Sequence, residues 1–251
     1  MLDSMHIAAL GMESQQTMVD TISNNIANIN TQSFKAAQVN FEDLVGKRDG
    51  AQDLIPSGAG VRVAGLRYNS TPGDMKQTDN EMDIAIAGKG FFELINDNGD
   101  SLYTRNGSLK INADGILESV NGLPLSALIE VPSDYTSLAI TTDGTVLADV
   151  PDQKDPVTLG QLELAHFINP EGLENLGNGL YRSSPDSGEA QYFATDSNPS
   201  KILQGYVESS NVNMVQELTS LVLAQKAYGL NSRILQASDE ILSLINDLRR
   251  G

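Results

Sequence analysis

The chain has 251 residues, 40% hydrophobic and 20% charged, enough to bury one large core or two smaller ones. Its formal charge of −17 argues against a nucleic-acid partner, because a phosphate backbone attracts a basic footprint that is missing here. With no cysteine there is neither a disulfide framework nor a thiolate metal site, and no stretch approaches the ~18 consecutive apolar residues of a membrane-spanning helix.

The opening MLDSMHIAALGMESQQ lacks a basic stretch followed by a continuous apolar run, so no cleavable signal peptide is expected. Met5, Ala8, Met12, Val19, Ile22, Ile26 and Ile29 recur at a 3-4 spacing, with Gln15 in the one polar slot. That spacing predicts a helix through the first thirty residues, a rod of about 40 Å. Its other face carries Ser, Thr, Gln and Asn, and only Asp3, Glu13 and Asp20 are acidic. A helix face so polar and so nearly uncharged is unlike an ordinary solvated one. The helix then meets Asn24, Asn25, Asn28 and Asn30 within NNIANINTQSFK (24–35). Asn competes with the backbone for hydrogen bonds and belongs at helix ends, yet one Asn would suffice for an ordinary end.

Residues 35–79, with Pro56, Ser57, Gly58 and Gly60 near the middle, read as an extended connector. From 80 to 205 the chain is punctuated by Asn98-Gly99, Asn106-Gly107, Asp114-Gly115, Asn121-Gly122 and Asp143-Gly144, pairs that favour hairpin turns. Between them SLYTR, SLKIN and ILESV alternate at strand length. An all-β domain follows, a sandwich or partly closed barrel. The C-terminal segment, 206–251, returns to helix: Leu223, Ala227, Leu230, Ile234, Ala237, Ile241, Leu244 and Leu248 hold an unbroken 3-4 pattern. Leu218, Leu221, Val222, Leu235 and Ile245 widen that stripe, which predicts contact with more than one neighbour. The expected fold is mixed α and β, with the β domain inserted between terminal helices (1–34 and 206–251) that pair in a coiled-coil-like inner domain.

A search for chemistry returns nothing specific. His6 and His166 fall in a helix and a strand, without cysteines or an HExxH pattern to make a zinc set. No nucleophile elbow, phosphate loop or dinucleotide fingerprint occurs, and Gly88-Lys89-Gly90 reads as a turn between strands. The acidic turns Asp97–Asp100 and Asn112–Gly115 lack the alternating ligands and closing glutamate of a calcium loop. With 33 acids, neighbouring carboxylates carry no information about glycosidase chemistry. No catalytic, cofactor-binding or metal-ligating residue is assigned.

Three ordered blocks resemble the axial rod and hook proteins of the bacterial flagellum. Ser23-Asn24-Asn25-Ile26-Ala27-Asn28, followed by Asn30-Thr31 and Phe34-Lys35, is similar to that family's N-terminal signature. "MDIAIAGKGFFEL" (82–94) with "YTRNGSLKINADGILESVNGLPL" (103–125) resembles the start of its β domain. Residues 209–248 resemble its C-terminal helix. Phe41-Glu42-Asp43-Leu44, Ser209 to Val212 and the modest length resemble the distal-rod branch. A connector between Phe41 and Val61 shorter than that branch's keeps a proximal-rod or hook-like paralogue as the alternative, and Ser33 stands where the family often has Gly.

The resemblance implies a structural subunit and no enzyme. It implies export without a cleaved signal peptide, and polymerisation into a hollow helical shaft across the periplasm in the basal body. Neighbouring rod and hook proteins, surrounding ring proteins and the export apparatus would be its partners, with no cofactor and no nucleic acid. The self-assembly residues it implies lie on the inner helices: Met5, Met12, Val19, Ile22, Ile26 and Ile29, and Leu223, Leu230, Ile234, Ile241, Leu244 and Leu248. Asn24, Asn25 and Asn28 join them as candidates to satisfy backbone groups at a helix end crowded by neighbouring copies; a turn within one chain is the plainer reading. The rival from another class is a secreted β-rich hydrolase or binding module.

Overall fold

The computed structural model describes residues 2–46, 57–96, 98–151, 154–193 and 199–250. The chain runs α1 (Leu2–Ala27), β1 (Ala37–Gly46), β2 (Ser57–Tyr68), β3 (Met75–Gln77), β4 (Ile84–Ala87), β5 (Phe91–Ile95) and β6 (Ser101–Thr104). Next come β7 (Leu109–Ile111), β8 (Leu117–Ser119), β9 (Ser137–Ile140), β10 (Thr145–Asp149), β11 (Val157–Gln161) and β12 (Leu164–His166). After a short 3₁₀ turn, β13 (Glu174–Gly177), β14 (Leu180–Arg182), β15 (Gln191–Tyr192), β16 (Lys201–Gln204) and β17 (Tyr206–Glu208) precede α2 (Met214–Arg250). The fold is mixed, with a helix at each end and strands between, and the described strands form no closed barrel. The chain divides into two units: Met1–Ile29 with Ala36–Asn69 and Val212–Gly251, and Asn30–Lys35 with Ser70–Asn211.

In the helical unit, α1 packs against both α2 and the antiparallel ribbon β1–β2. The segment 35–79, expected as an extended connector, thus holds two long paired strands. Register shifts at Asn40/Phe41 and Leu44/Val45 break the regular edge of this ribbon. The nearly uncharged face of α1 is explained by its own backbone: Thr17, Thr21 and Ser23 donate their hydroxyls to the carbonyls of Glu13, Thr17 and Val19. Such back-bonded hydroxyls are already satisfied and need no solvent. Helix α2 starts where the Asn213 side chain accepts from the Val215 and Gln216 amides, an N-cap.

Helix α1 ends at Ala27, earlier than its periodicity predicts. The Asn28 side chain folds back to donate to the Asn24 carbonyl at 2.9 Å, closing the last turn. Apolar spacing continues to Ile29, but side-chain competition for the backbone decides the boundary.

The strand-rich unit is organised by a six-stranded sheet in the order β13-β14-β6-β5-β12-β15. Side chains alternate across it, so neighbours in sequence enter different cores. Phe92, Leu94, Leu102 and Leu164 join the main core with Ile84, Ile86, Leu117, Ile129, Val146 and Ile202. Phe91, Tyr103, Ala165 and Tyr181 join Leu173 in a second, aromatic cluster, where Tyr103 meets Phe167 edge-on at 4.8 Å. At about 25 cal/mol per Å² these buried side chains supply the main stabilisation of the unit.

The Asn-Gly and Asp-Gly pairs act as turns at Gly99, Gly115, Gly122 and Gly144, each with positive φ. Asn106-Gly107 behaves differently. It joins β6 to β7, which are not partners, and the Gly107 carbonyl accepts from the Ile84 amide at 2.9 Å. Likewise Gly88-Lys89-Gly90 links two strands that are not paired with each other, β4 and β5. The readings made on Pro56 and Asp97 lie outside the described residues.

Candidate self-assembly surface

The terminal helices run antiparallel. Near the end of α1, Asn25 donates to the Glu217 carboxylate at 3.3 Å, while Gly11 faces Asn231. A Cβ on Gly11 would stand 2.7 Å from the Asn231 Nδ2, so glycine permits that close approach. Glu217, Ala224 and Asn231 are seven residues apart and mark the line along which α2 meets α1, with Ala224 only 2% exposed. These three residues are small or polar, and Leu221, Leu235 and Leu242 on the same side of α2 are partly covered as well.

The apolar stripe of α2 points elsewhere. Leu223 and Leu230 precede Ala224 and Asn231 by one residue, about 100° round the helix at 3.6 residues per turn. Leu223, Leu230, Ile234, Ile241, Leu244 and Leu248 are all exposed, Leu223 by 61% and Leu248 by 83%. Val215, Leu218, Thr219, Val222 and Leu223 line a shallow apolar depression at the start of the same helix. Helix α2 has 37 residues against 26 in α1, so its last turns continue beyond the start of its partner. An uninterrupted apolar surface of this length is more than a monomer ordinarily leaves in water.

On α1 the outcome is the reverse. Ile22 is 4% exposed, and Met5, Met12, Val19, Ile26 and Ile29 are partly covered within their own chain. Asn25 is buried, and it pairs with Ala37 through both atoms of its amide: Nδ2 donates to the carbonyl at 2.8 Å and Oδ1 accepts from the amide at 2.9 Å. Asn28 is partly buried at the helix end and Asn24 is exposed. The single chain therefore already supplies the partners of Asn25.

Sequence reasoning missed a buried charged cluster. Glu208, wholly buried, accepts from the Lys35 ammonium through Oε1 and from the Arg105 Nε at 2.7 Å through Oε2. The Gly73 amide donates to Oε1 at 2.8 Å. Arg105 also donates to the carbonyls of Ile86, Gly88 and Gly90, which gives the Gly88-Lys89-Gly90 turn its role. Burial alone would raise the Glu208 carboxyl; Arg105, Lys35 and the Gly73 amide outweigh it and hold it below the usual range. Burial pulls the Lys35 ammonium below its ordinary value despite Glu208 beside it. Lys35 ends the N-terminal signature block, and nothing local to it announces a carboxylate more than 170 positions away.

Three family descriptions match in chain order: "Flagella basal body rod protein" over residues 5–35, "Flagellar hook protein FlgE/F/G D1 domain" over 85–148, and "Flagellar basal body rod FlgEFG protein C-terminal" over 203–248. The flagellar basal-body rod protein FlgG of Agrobacterium fabrum is 38% identical, covering 96% of this chain and 97% of its own. The chain belongs to the flagellar basal-body rod and hook protein family. The FlgG of Buchnera aphidicola from Acyrthosiphon pisum is 37% identical over 99% of this chain and 100% of its own. That of Borreliella burgdorferi is 34% identical over the full length of both. The family is structural, not enzymatic. Ser33 sits at φ +55°, the left-handed backbone that glycine adopts freely. Among the described residues no helix is long and apolar enough to cross a membrane.

Proposed function

We propose that this chain is a structural subunit of the bacterial flagellar basal-body rod, most similar in role to the distal rod. Copies pack through their terminal helices into a hollow helical shaft that crosses the periplasm, transmits torque and passes exported subunits. The observation that carries this reading is the exposed stripe of α2 in a chain of this family: one face of the helix meets α1 and the other is left for neighbouring copies. The 3-4 spacing of both helices supports a coiled-coil-like packing of the terminal helices. The chain is exported without a cleaved signal peptide, and its partners are neighbouring rod and hook proteins, the surrounding rings and the export apparatus. The short connector keeps a proximal-rod or hook-like position as the second reading. Deleting the chain's gene in its own bacterium tests both: a distal subunit leaves basal bodies with a shortened rod, a proximal one leaves none beyond the base. Motile cells with complete rods would overturn the assignment.

A further inference from the structure

The chain passes between its units after Ile29, Lys35, Asn69 and Asn211. Within the strand-rich unit these four crossings are bordered by only three segments: Asn30–Lys35, the residues from Ser70 onward, and those leading to Asn211. All three meet at the Glu208 carboxylate. Lys35 reaches it from the first segment and Gly73 from the second, while Glu208 itself belongs to the third. Around it, further bonds each join two of the three. The Ser33 amide donates to the Glu208 carbonyl at 2.8 Å, and the Asn211 amide donates to the Phe34 carbonyl at 3.3 Å. Lys35 Nζ donates to the Thr71 carbonyl at 2.9 Å, as does the Asn211 side chain at 3.0 Å. The Ser209 amide donates to the Asp74 carbonyl at 2.8 Å.

None of these segments is secured by regular structure alone. β17 pairs with β3 over just Tyr206–Gln77, Val207–Lys76 and Glu208–Met75, a two-stranded sheet too short to persist by itself. Gly73 fits so closely that a Cβ there would lie 2.0 Å from the Ser209 carbonyl. Two cations share one carboxylate, so removing the carboxylate leaves like charges facing each other away from water, whereas removing Lys35 leaves the Arg105–Glu208 pair matched.

We propose that Glu208, Lys35 and Arg105 form a clasp that seats the three bordering segments as one cooperative unit, so that none opens without the others. In a rod subunit, and on that reading alone, the clasp would carry load from the terminal segments into the strand-rich unit without peeling β17 from β3.

Amide hydrogen exchange on the unassembled full-length chain tests the clasp independently of rod assembly. In Lys35→Met, exchange should quicken about tenfold or more not only near residue 35 but also over 71–77 and 206–211, with 92–95 unchanged. Glu208→Gln should quicken the same three segments further. If Glu208→Gln does not fold, Lys35→Met decides alone. Quickening confined to the residues around 35 would overturn the clasp. Loss of motility on gene deletion would leave the rod assignment standing in that case.

Discussion

The side chain of Asn25 holds the backbone of Ala37 at both its amide and its carbonyl, at 2.9 and 2.8 Å, and so fixes the end of α1 to the first residue of β1. An amide side chain suits this task because it is donor and acceptor at once. Asn25→Ala leaves two buried backbone groups unpaired and should destabilise the helical unit by about 1–3 kcal/mol. Asn24→Ala, at an exposed position, should stay within about 0.5 kcal/mol. Urea unfolding of the full-length variants separates them, and equal effects would show that the pairing with Ala37 carries no weight.

Ile22 and Ile234 are both apolar positions on the terminal helices, but only Ile22 is covered within the chain. Ile22→Asp places an unpaired carboxylate in a closed interface, and the helical content of the isolated chain should fall. Ile234→Asp, at 50% exposure, should leave the isolated chain folded and block rod formation. Circular dichroism of the monomers together with motility of complemented cells gives both readouts. Normal motility with Ile234→Asp would remove this stripe from the assembly surface.

The carboxyl of Glu208 is held below its ordinary value of 4.5. The unfolded chain therefore takes up a proton at a higher pH than the native one. The stability due to this group is complete above about pH 4.5 and is lost as pH falls further, through the native-state value. For Lys35, lowered from 10.5 by burial, the sign is that its contribution rises as pH climbs from its native-state value towards 10.5. Urea midpoints of the full-length chain between about pH 5 and 2 should fall less steeply in Glu208→Gln than in the parent. Parallel curves would mean that the carboxylate is not preferentially ionised in the fold.

Ser33 combines a positive φ with a hydroxyl that donates to the Arg105 carbonyl at 3.0 Å. Ser33→Gly relieves roughly 1–2 kcal/mol of left-handed backbone and gives up a hydrogen bond of about 1 kcal/mol, so its net change should be small. Ser33→Val keeps the backbone cost, loses the bond and adds a branched Cβ, and should cost more than about 2 kcal/mol. Thermal unfolding ranks the three, and a Val variant as stable as the parent would refute the strain.

Spacing along the chain was enough to place both terminal helices, because residues three and four apart share a helix face whatever surrounds it. It was enough for the turns at Gly99, Gly115, Gly122 and Gly144 too, where the requirement for positive φ is local. The signature blocks identified the family before any contact was known. Spacing could not say which apolar face was already covered. The α1 residues around Ile22 and the α2 residues around Ile234 have the same periodicity, yet one set is enclosed and the other open. What distinguishes them is the side of α2 that carries Glu217, Ala224 and Asn231, recognisable as a helix contact only once Asn25 and Gly11 stand opposite it. The partners of Asn25 and Lys35 were likewise undetermined, as was the failure of Asn106-Gly107 to close a hairpin. A polar group's partner is set by which distant segment is buried beside it, and burial is a property of the whole packed chain.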